Sequence, residues 1–181
     1  MRVGLPEKLV PFASATIRSE KGDFESMDNL SIVRAVAAGD DCFGEMHQIG
    51  DHFVRFKVGT GETGGNLFVA ENVFPAKGGP GRHVHPHQDE WFYVLEGEFI
   101  FEIGDQRFTL RDGDSALGPR QVPHVWAFTG GGTGRLLVSF APAGRIEAFF
   151  REITSATSRP LHDSALWSDH EMELLGPPLV V

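Results

Sequence analysis

Three closely spaced histidines are the residues of this chain whose chemistry is most specific. His83, His85 and His87 fall inside a predicted strand, and Glu90 follows them closely. Because successive side chains of a strand point to opposite faces, His83 and His85 share one face, where one ion lies within reach of both imidazoles at about 2.0–2.2 Å. Glu90 opens an apolar run, so its ionised carboxylate inside a barrel would be costly unless a cation compensated it. The spacing therefore predicts a metal site.

A fourth candidate ligand, His124, lies further along the chain. It follows Gly113, a short apolar stretch and a turn that contains Pro119. A strand, a proline-containing turn and a returning strand can bring His124 beside the first cluster in an antiparallel fold. Neutral imidazole is required to bind a metal, so we expect metal affinity to fall as the pH drops through about 6.

His87 is expected to play a different part from the other two histidines of its strand. It has the strand parity of His83 and His85, but it lies only three residues before Glu90. We therefore place it at the rim of the site or behind the ligands.

Many short strands separated by turn signals must position these residues. Two strands are predicted within 51–74, joined by a glycine-rich turn, and the later candidates are 82–87, 90–96, 98–103, 106–110, 114–118, 123–129 and 134–141. Strands of this length and spacing predict an all-β protein, an antiparallel sandwich or barrel.

The C-terminal tail has a helical pattern instead. Apolar side chains recur at i, i+3, i+4 and i+7 at Ile146, Phe149, Phe150 and Ile153, which predicts an amphipathic helix. Ser168 and Glu171 form a capping-box signature, and Gly176-Pro177-Pro178 would end the short helix that follows. The predicted organisation is an N-terminal arm over 1–50, a β-barrel over 51–142 and a C-terminal helical extension over 143–181.

Two motifs make the chain resemble the cupin superfamily. The first motif has a glycine-rich lead, His-x-His, Glu and Gly, and it is met by Gly78-Gly79, His83, His85, Glu90 and Gly97. The second has Gly, Pro and His at set spacing, and it is met by Gly113, Pro119 and His124. Gln121 stands where the second motif usually has glycine, and Phe128 stands where an asparagine often follows the last histidine.

The resemblance implies a double-stranded β-helix, the jelly-roll barrel of cupins. It also implies that one divalent transition metal, Fe, Mn, Ni, Co, Cu or Zn, is bound by His83, His85, Glu90 and His124. Within the superfamily, the chain is most similar to small single-domain bacterial cupins of the quercetin-dioxygenase type.

Three functions are compatible with such a metal. The preferred one is a dioxygenase that oxidises an enolisable or hydroxy-carbonyl small molecule, flavonol-like in its chemistry, with Glu90 as ligand and catalytic base. The alternatives are a metal-dependent isomerase or lyase that acts through an enolate, and a non-catalytic module that binds a small molecule. Phe92, Trp126 and Phe128 share strand parity with the ligands and are candidate pocket walls.

Composition limits the partners. The 181 residues have 25 acidic and 16 basic side chains, a formal charge of −9, which disfavours nucleic acid and anionic lipid. The single cysteine excludes an internal disulfide and a four-thiolate zinc site. We see no signal peptide and no membrane-spanning window, so the sequence predicts a cytoplasmic protein. Exposed sheet edges and extra terminal segments favour a homodimer.

Overall fold

Two antiparallel sheets make up most of the structure, a computed structural model that describes residues 34–155 and 157–181. The predicted N-terminal arm lies outside the described residues as far as residue 33. In chain order the strands are β1 (His47–Ile49), β2 (His52–Val58), β3 (Phe68–Phe74), β4 (Gly81–Val84), β5 (Asp89–Glu96), β6 (Phe99–Ile103), β7 (Gln106–Leu110), β8 (Ser115–Gly118), β9 (His124–Phe128), β10 (Gly134–Ala141) and β11 (Glu173–Pro178).

The topology brings strands that are distant in sequence next to each other. One sheet has the order β1-β2-β3-β10-β5-β8, and the other has the order β11-β4-β9-β6-β7. Strands β1 and β11 extend the sheets beyond the 51–142 range expected from the sequence. The prediction of an all-β jelly-roll barrel is confirmed.

Alternation along each strand explains the core between the sheets. On β3, Phe68, Ala70 and Phe74 are fully or almost fully buried and point inward, and Phe56 of β2 is fully buried opposite Ala70. Burial of a phenylalanine or leucine side chain contributes about 1.5–3 kcal/mol to folding. The inward row of β3 also contains a polar residue, Asn72, which is almost fully buried.

The turns at the end of the first motif and the start of the second explain two of their glycines. Gly97 and Gly113 have φ angles of 93° and 87°, a region of backbone space that glycine enters without a steric penalty. Asp112 Oδ1 accepts a hydrogen bond from the Gly97 N–H at 2.6 Å. The two turns are thereby held together beside the barrel.

The tail confirms one predicted helix and corrects the other. Helix α1 spans Ile146–Ile153, as the apolar spacing predicts. Helix α2 spans Ser164–Ser168 and is capped by Asp163, whose side chain accepts a hydrogen bond from Ala165 N. The prediction that a helix begins after Ser168 was wrong.

Two features replace the expected helix. Glu171 has a φ angle of 61°, which interrupts a right-handed helix. The segment that follows, β11, instead pairs with the edge of β4 and satisfies its backbone groups.

Neither α1, with eight residues, nor α2, with five, has the length and hydropathy of a transmembrane helix, and the rest of the described chain contains no such helix either. The homodimer and the cytoplasmic location stay predictions.

Candidate metal centre

The four predicted ligands come together between the two sheets. His83 lies on β4 and His124 on β9, directly opposite each other in the register of these strands. His85 follows the end of β4, and Glu90 reaches the cluster from β5 in the other sheet. All four residues are buried, and their ligand atoms lie within 4.8 Å of one another.

The imidazole Nε2 atoms converge on one carboxylate oxygen. Glu90 Oε2 lies 2.7 Å from Nε2 of His124, 3.2 Å from Nε2 of His85 and 3.7 Å from Nε2 of His83. The rings of His83 and His124 are 4.5 Å apart. This leaves a compact nitrogen and oxygen donor set at the centre.

The outer ring nitrogens are held by oxygen acceptors. The Nδ1 contacts are Gly81 O at 2.8 Å from His83, Gln88 Oε1 at 2.9 Å from His85 and Val122 O at 3.1 Å from His124. Because carbonyl and amide oxygens only accept hydrogen bonds, we assign the hydrogen to each Nδ1. In the neutral rings the Nε2 lone pairs therefore face Glu90.

This arrangement fits a divalent transition metal. Nε2 of His85 is buried and has no hydrogen-bond partner among the described residues. A buried nitrogen in that state is costly unless a cation or a proton uses its lone pair. Three imidazole nitrogens and one carboxylate suit iron, manganese, nickel, cobalt, copper or zinc.

Burial and charge act in opposite directions on these groups. Burial raises the pKa of Glu90, but the hydrogen bond and charge of His124, with smaller contributions from His83 and His85, outweigh it and hold the pKa well below its ordinary value. Burial alone would lower the pKa of His124, yet its contact with Glu90 raises it above the ordinary 6.5. Burial lowers the pKa of His83 to about 4. The carboxylate thus stays ionised at neutral pH.

Metal affinity is expected to fall in acid, because a proton and the cation compete for the same Nε2 lone pairs. The contact with Glu90 that raises the pKa of His124 strengthens this competition. Below that pKa, one proton per metal lowers the affinity by about tenfold per pH unit. Calorimetric titration with Zn²⁺ from pH 5 to 8, in buffers of different ionisation enthalpy, measures both the affinity and the proton release. Equal Zn²⁺ occupancy at pH 5 and pH 8 is incompatible with this coordination.

Gln88 is a site residue that the sequence analysis missed. It is buried, accepts from Nδ1 of His85, and donates to the backbone oxygens of Pro142, at 3.1 Å, and Ala143. These contacts fix the ring orientation of His85. A glutamine next to the histidines was a possible signal, because metal-bound imidazoles need an acceptor at their other nitrogen.

Replacing Gln88 with leucine is expected to lower metal affinity by about 10- to 100-fold, since His85 loses the group that orients its ring. Gln88→Glu is the matched variant, because it keeps an acceptor for Nδ1 while losing the donor to Pro142 and Ala143. We expect it to retain most of the affinity. If both variants bind Zn²⁺ as the wild type does in calorimetry, Gln88 has no orienting role.

Gln121 keeps the backbone conformation of the glycine that usually occupies this position of the second motif. Its φ angle is 67°, in the left-handed region that favours glycine. Its N–H donates to the backbone oxygen of His85 at 2.8 Å. The strained turn therefore ties the loop before His124 to the loop that contains His85.

An apolar cavity of about 620 Å³ reaches the candidate metal centre at His83 and Glu90. This volume is within the range that holds drug-sized molecules. Its walls include the aromatic side chains of Phe74, Trp126, Phe140, Phe149, Phe150 and Trp167. Among the described residues that line it, Glu90 is the only carboxylate, and none is a lysine or an arginine. The cavity therefore suits a largely apolar and uncharged molecule.

The structure separates the three predicted pocket residues. Trp126 lines the cavity, whereas Phe92 and Phe128 are not among its lining residues and are fully or almost fully buried in the core. The ring of Phe92 lies 5.9 Å from that of His124, behind the ligand. His87 is exposed and does not join the converging group.

A family model matches the central part of the chain. Residues 71–140 match the family model described as a cupin domain. This match and the two-sheet fold support the cupin superfamily. The quercetin-dioxygenase subtype is not part of that result.

The similar proteins cover only parts of this chain. Protein SchB of Streptomyces halstedii is 35% identical over 60 residues, which are 33% of this chain and 44% of SchB. The chain thus spans less than half the length of this curated relative.

Two solved structures are similar as well. One is the polyketide cyclase RemF from Streptomyces resistomycificus, with a TM-score of 0.51 and 23% identity over 62% of this chain and 80% of that chain. The other is an RmlC-like cupin from Shewanella frigidimarina, with a TM-score of 0.45 and 27% identity over 55% of this chain and 84% of that chain.

Proposed function

We propose that this protein is a metal-dependent dioxygenase of a largely apolar, enolisable hydroxy-carbonyl compound. The observation that carries the proposal is the buried group of three histidines and one glutamate at the wall of a 620 Å³ apolar cavity. A sugar or a small dicarboxylate would need many polar partners, which the described lining does not offer. A planar aromatic molecule with one oxygen-rich end matches both the apolar cavity and the metal-binding group.

His83, His85, Glu90 and His124 would hold the metal. When bound, the metal would supply Lewis-acid activation of a substrate oxygen and coordination positions beyond the four protein ligands. The acceptors at each Nδ1 keep the rings in the tautomer that binds metal.

We assign the role of proton acceptor to Glu90, which is the only carboxylate among the described residues that line the cavity. It stays ionised at neutral pH because the histidines stabilise its charge. Loss of the hydroxyl proton gives an electron-rich enolate. The surrounding aromatic walls exclude water and strengthen the electrostatic interactions of this anion. In the complete reaction the enolate is oxidised, dioxygen is reduced, and both oxygen atoms enter the product.

The test combines metal analysis of the purified protein with oxygen-electrode measurements. Protein loaded in turn with Fe²⁺, Mn²⁺, Ni²⁺, Co²⁺, Cu²⁺ and Zn²⁺ is mixed with 3-hydroxyflavone, other flavonols and diketones. The proposal expects oxygen uptake with a redox-active metal and none in His83→Ala. Turnover without oxygen uptake, with Zn²⁺ included, would replace the dioxygenase by an isomerase or lyase. Binding without turnover would leave a non-catalytic module.

A further inference from the structure

Asn72 is a polar residue on the inward, otherwise apolar face of β3. It lies in the middle of β3, with Val54 and Leu136 opposite it on the two neighbouring strands, and only 4% of its surface is exposed. Its side chain makes no hydrogen bond to the described residues. It lines the cavity. Its amide atoms are not among the described polar atoms that are completely inaccessible and also lack a hydrogen-bond partner. The amide therefore faces the cavity space.

His52 lines the same cavity beside Asn72. It begins β2, and its ring stacks on that of Phe74 with 4.7 Å between the ring centres. Asn72 and Phe74 are two residues apart on β3, so Asn72 and His52 are diagonal neighbours on the inward face. Burial lowers the pKa of His52 to about 4, against the opposing charge of Asp51. A neutral imidazole offers one donor and one acceptor.

We propose that Asn72 and His52 form a second binding point in the cavity, which recognises a neutral hydroxyl or carbonyl group on the end of the substrate remote from the metal centre. This inference rests on the proposed function, which supplies the chemistry of the substrate end that binds the metal. An amide and a neutral imidazole can both donate and accept, so they match a phenol or a ketone better than a carboxylate or a phosphate. The described lining also lacks a lysine or arginine that would pair with an anion.

The strand register gives the separation of the two ends. Strand β10 lies between β5 and β3. Glu90 of β5 is opposite Phe140 of β10, and Asn72 of β3 is opposite Leu136 of β10. Four residues along a strand span about 13 Å, and two strand spacings add about 10 Å across the sheet. After the reach of both side chains, a ligand that touches both ends has polar atoms on the order of 10 Å apart. That spacing describes a molecule of two or three linked rings.

The experiment compares two probes that differ at one end only. They are 3-hydroxyflavone and 3,4′-dihydroxyflavone, which share the metal-binding hydroxy-ketone. Protein loaded with Zn²⁺ and freed of excess metal is titrated under argon, and the fluorescence of Trp126 and Trp167, which line the cavity, reports binding. We expect the wild type to bind the dihydroxy compound about tenfold more tightly, the effect of one net hydrogen bond. Asn72→Leu is expected to remove this difference.

The controls separate the possible failures. Asn66→Leu makes the same substitution at an exposed residue outside the cavity and should preserve the tenfold preference. Asn72→Leu should unfold at the same or a higher denaturant concentration, because a residue kept for binding does not stabilise the empty protein. His52→Phe keeps the stacking on Phe74 and should also reduce the preference, so the test does not depend on one variant.

Each remaining outcome overturns a stated claim. If the wild type binds both flavones equally, or if Asn72→Leu weakens both equally, the second binding point is wrong. The proposed function survives that result as long as His124→Ala abolishes binding of both probes. If neither flavone binds the metal-loaded wild type, the proposed function fails, and this inference fails with it.

Discussion

Replacing His124 with alanine is expected to lower metal affinity by at least about 100-fold and to abolish oxygen uptake. The variant loses one of three nitrogen ligands, and even groups that only orient a ligand contribute 10- to 100-fold. It also removes the closest partner of the buried Glu90 carboxylate, 2.7 Å away. An unpaired buried charge destabilises the metal-free fold. Metal content by mass spectrometry and affinity by calorimetry measure the first effect, and circular dichroism checks the fold.

His87→Ala is the matched control for this variant. His87 precedes Glu90 in the same part of the chain, but it is exposed and outside the converging group. We expect its metal content and oxygen uptake to equal those of the wild type. Should His124→Ala retain a full equivalent of tightly bound metal while His87→Ala loses it, the ligand set would be wrong.

Part of the candidate ligand set could be predicted from the sequence because its geometry is local. The alternation of a strand places His83 and His85 on one face, and a buried carboxylate next to them needs a cation. His124 required the second motif, since nothing local reveals which strand β9 pairs with. In the register of β4 and β9, His83 faces His124. This pairing explains why the second motif ends with a histidine.

The pocket walls were harder to predict, because strand parity gives the face of a residue and not its depth. Phe92, Trp126 and Phe128 all point inward, yet only Trp126 borders the cavity. Much of the wall comes from the C-terminal segment, for example Phe149 of α1 and Leu174 of β11. No pattern in the barrel strands encodes the docking of that segment.

The second helix was mispredicted for a related reason. Gly176-Pro177-Pro178 disrupts a helix, and equally it suits an irregular strand at a sheet edge. The pairing of β11 with β4 has two register shifts in this segment, which the prolines tolerate. Asn72, by contrast, did carry a signal. A polar residue at an inward position of an otherwise apolar strand marks a buried group that needs a partner.

Replacing Glu90 with glutamine tests the part of the mechanism that does not depend on metal retention. The side chain keeps its size and loses its negative charge, so metal affinity should fall by about 10- to 100-fold while the three histidines still bind. At saturating metal, we expect the turnover rate for 3-hydroxyflavone to fall by at least about 100-fold, the usual contribution of a general base. Oxygen uptake at several metal concentrations separates the two effects.

Two further measurements decide whether the charge of Glu90 is the cause. In the metal-free wild type, contact with Glu90 raises the pKa of His124. In Glu90→Gln, burial is the largest remaining effect and outweighs the hydrogen bond to Val122 O, so the pKa of His124 should drop below its ordinary value, which histidine NMR titration can follow. Glu96→Gln, at an exposed position of the same strand β5, should change neither the titration nor the turnover rate. If Glu90→Gln turns over 3-hydroxyflavone at the wild-type rate once saturated with metal, Glu90 is a ligand only, and the substrate must lose its proton to a group other than this carboxylate.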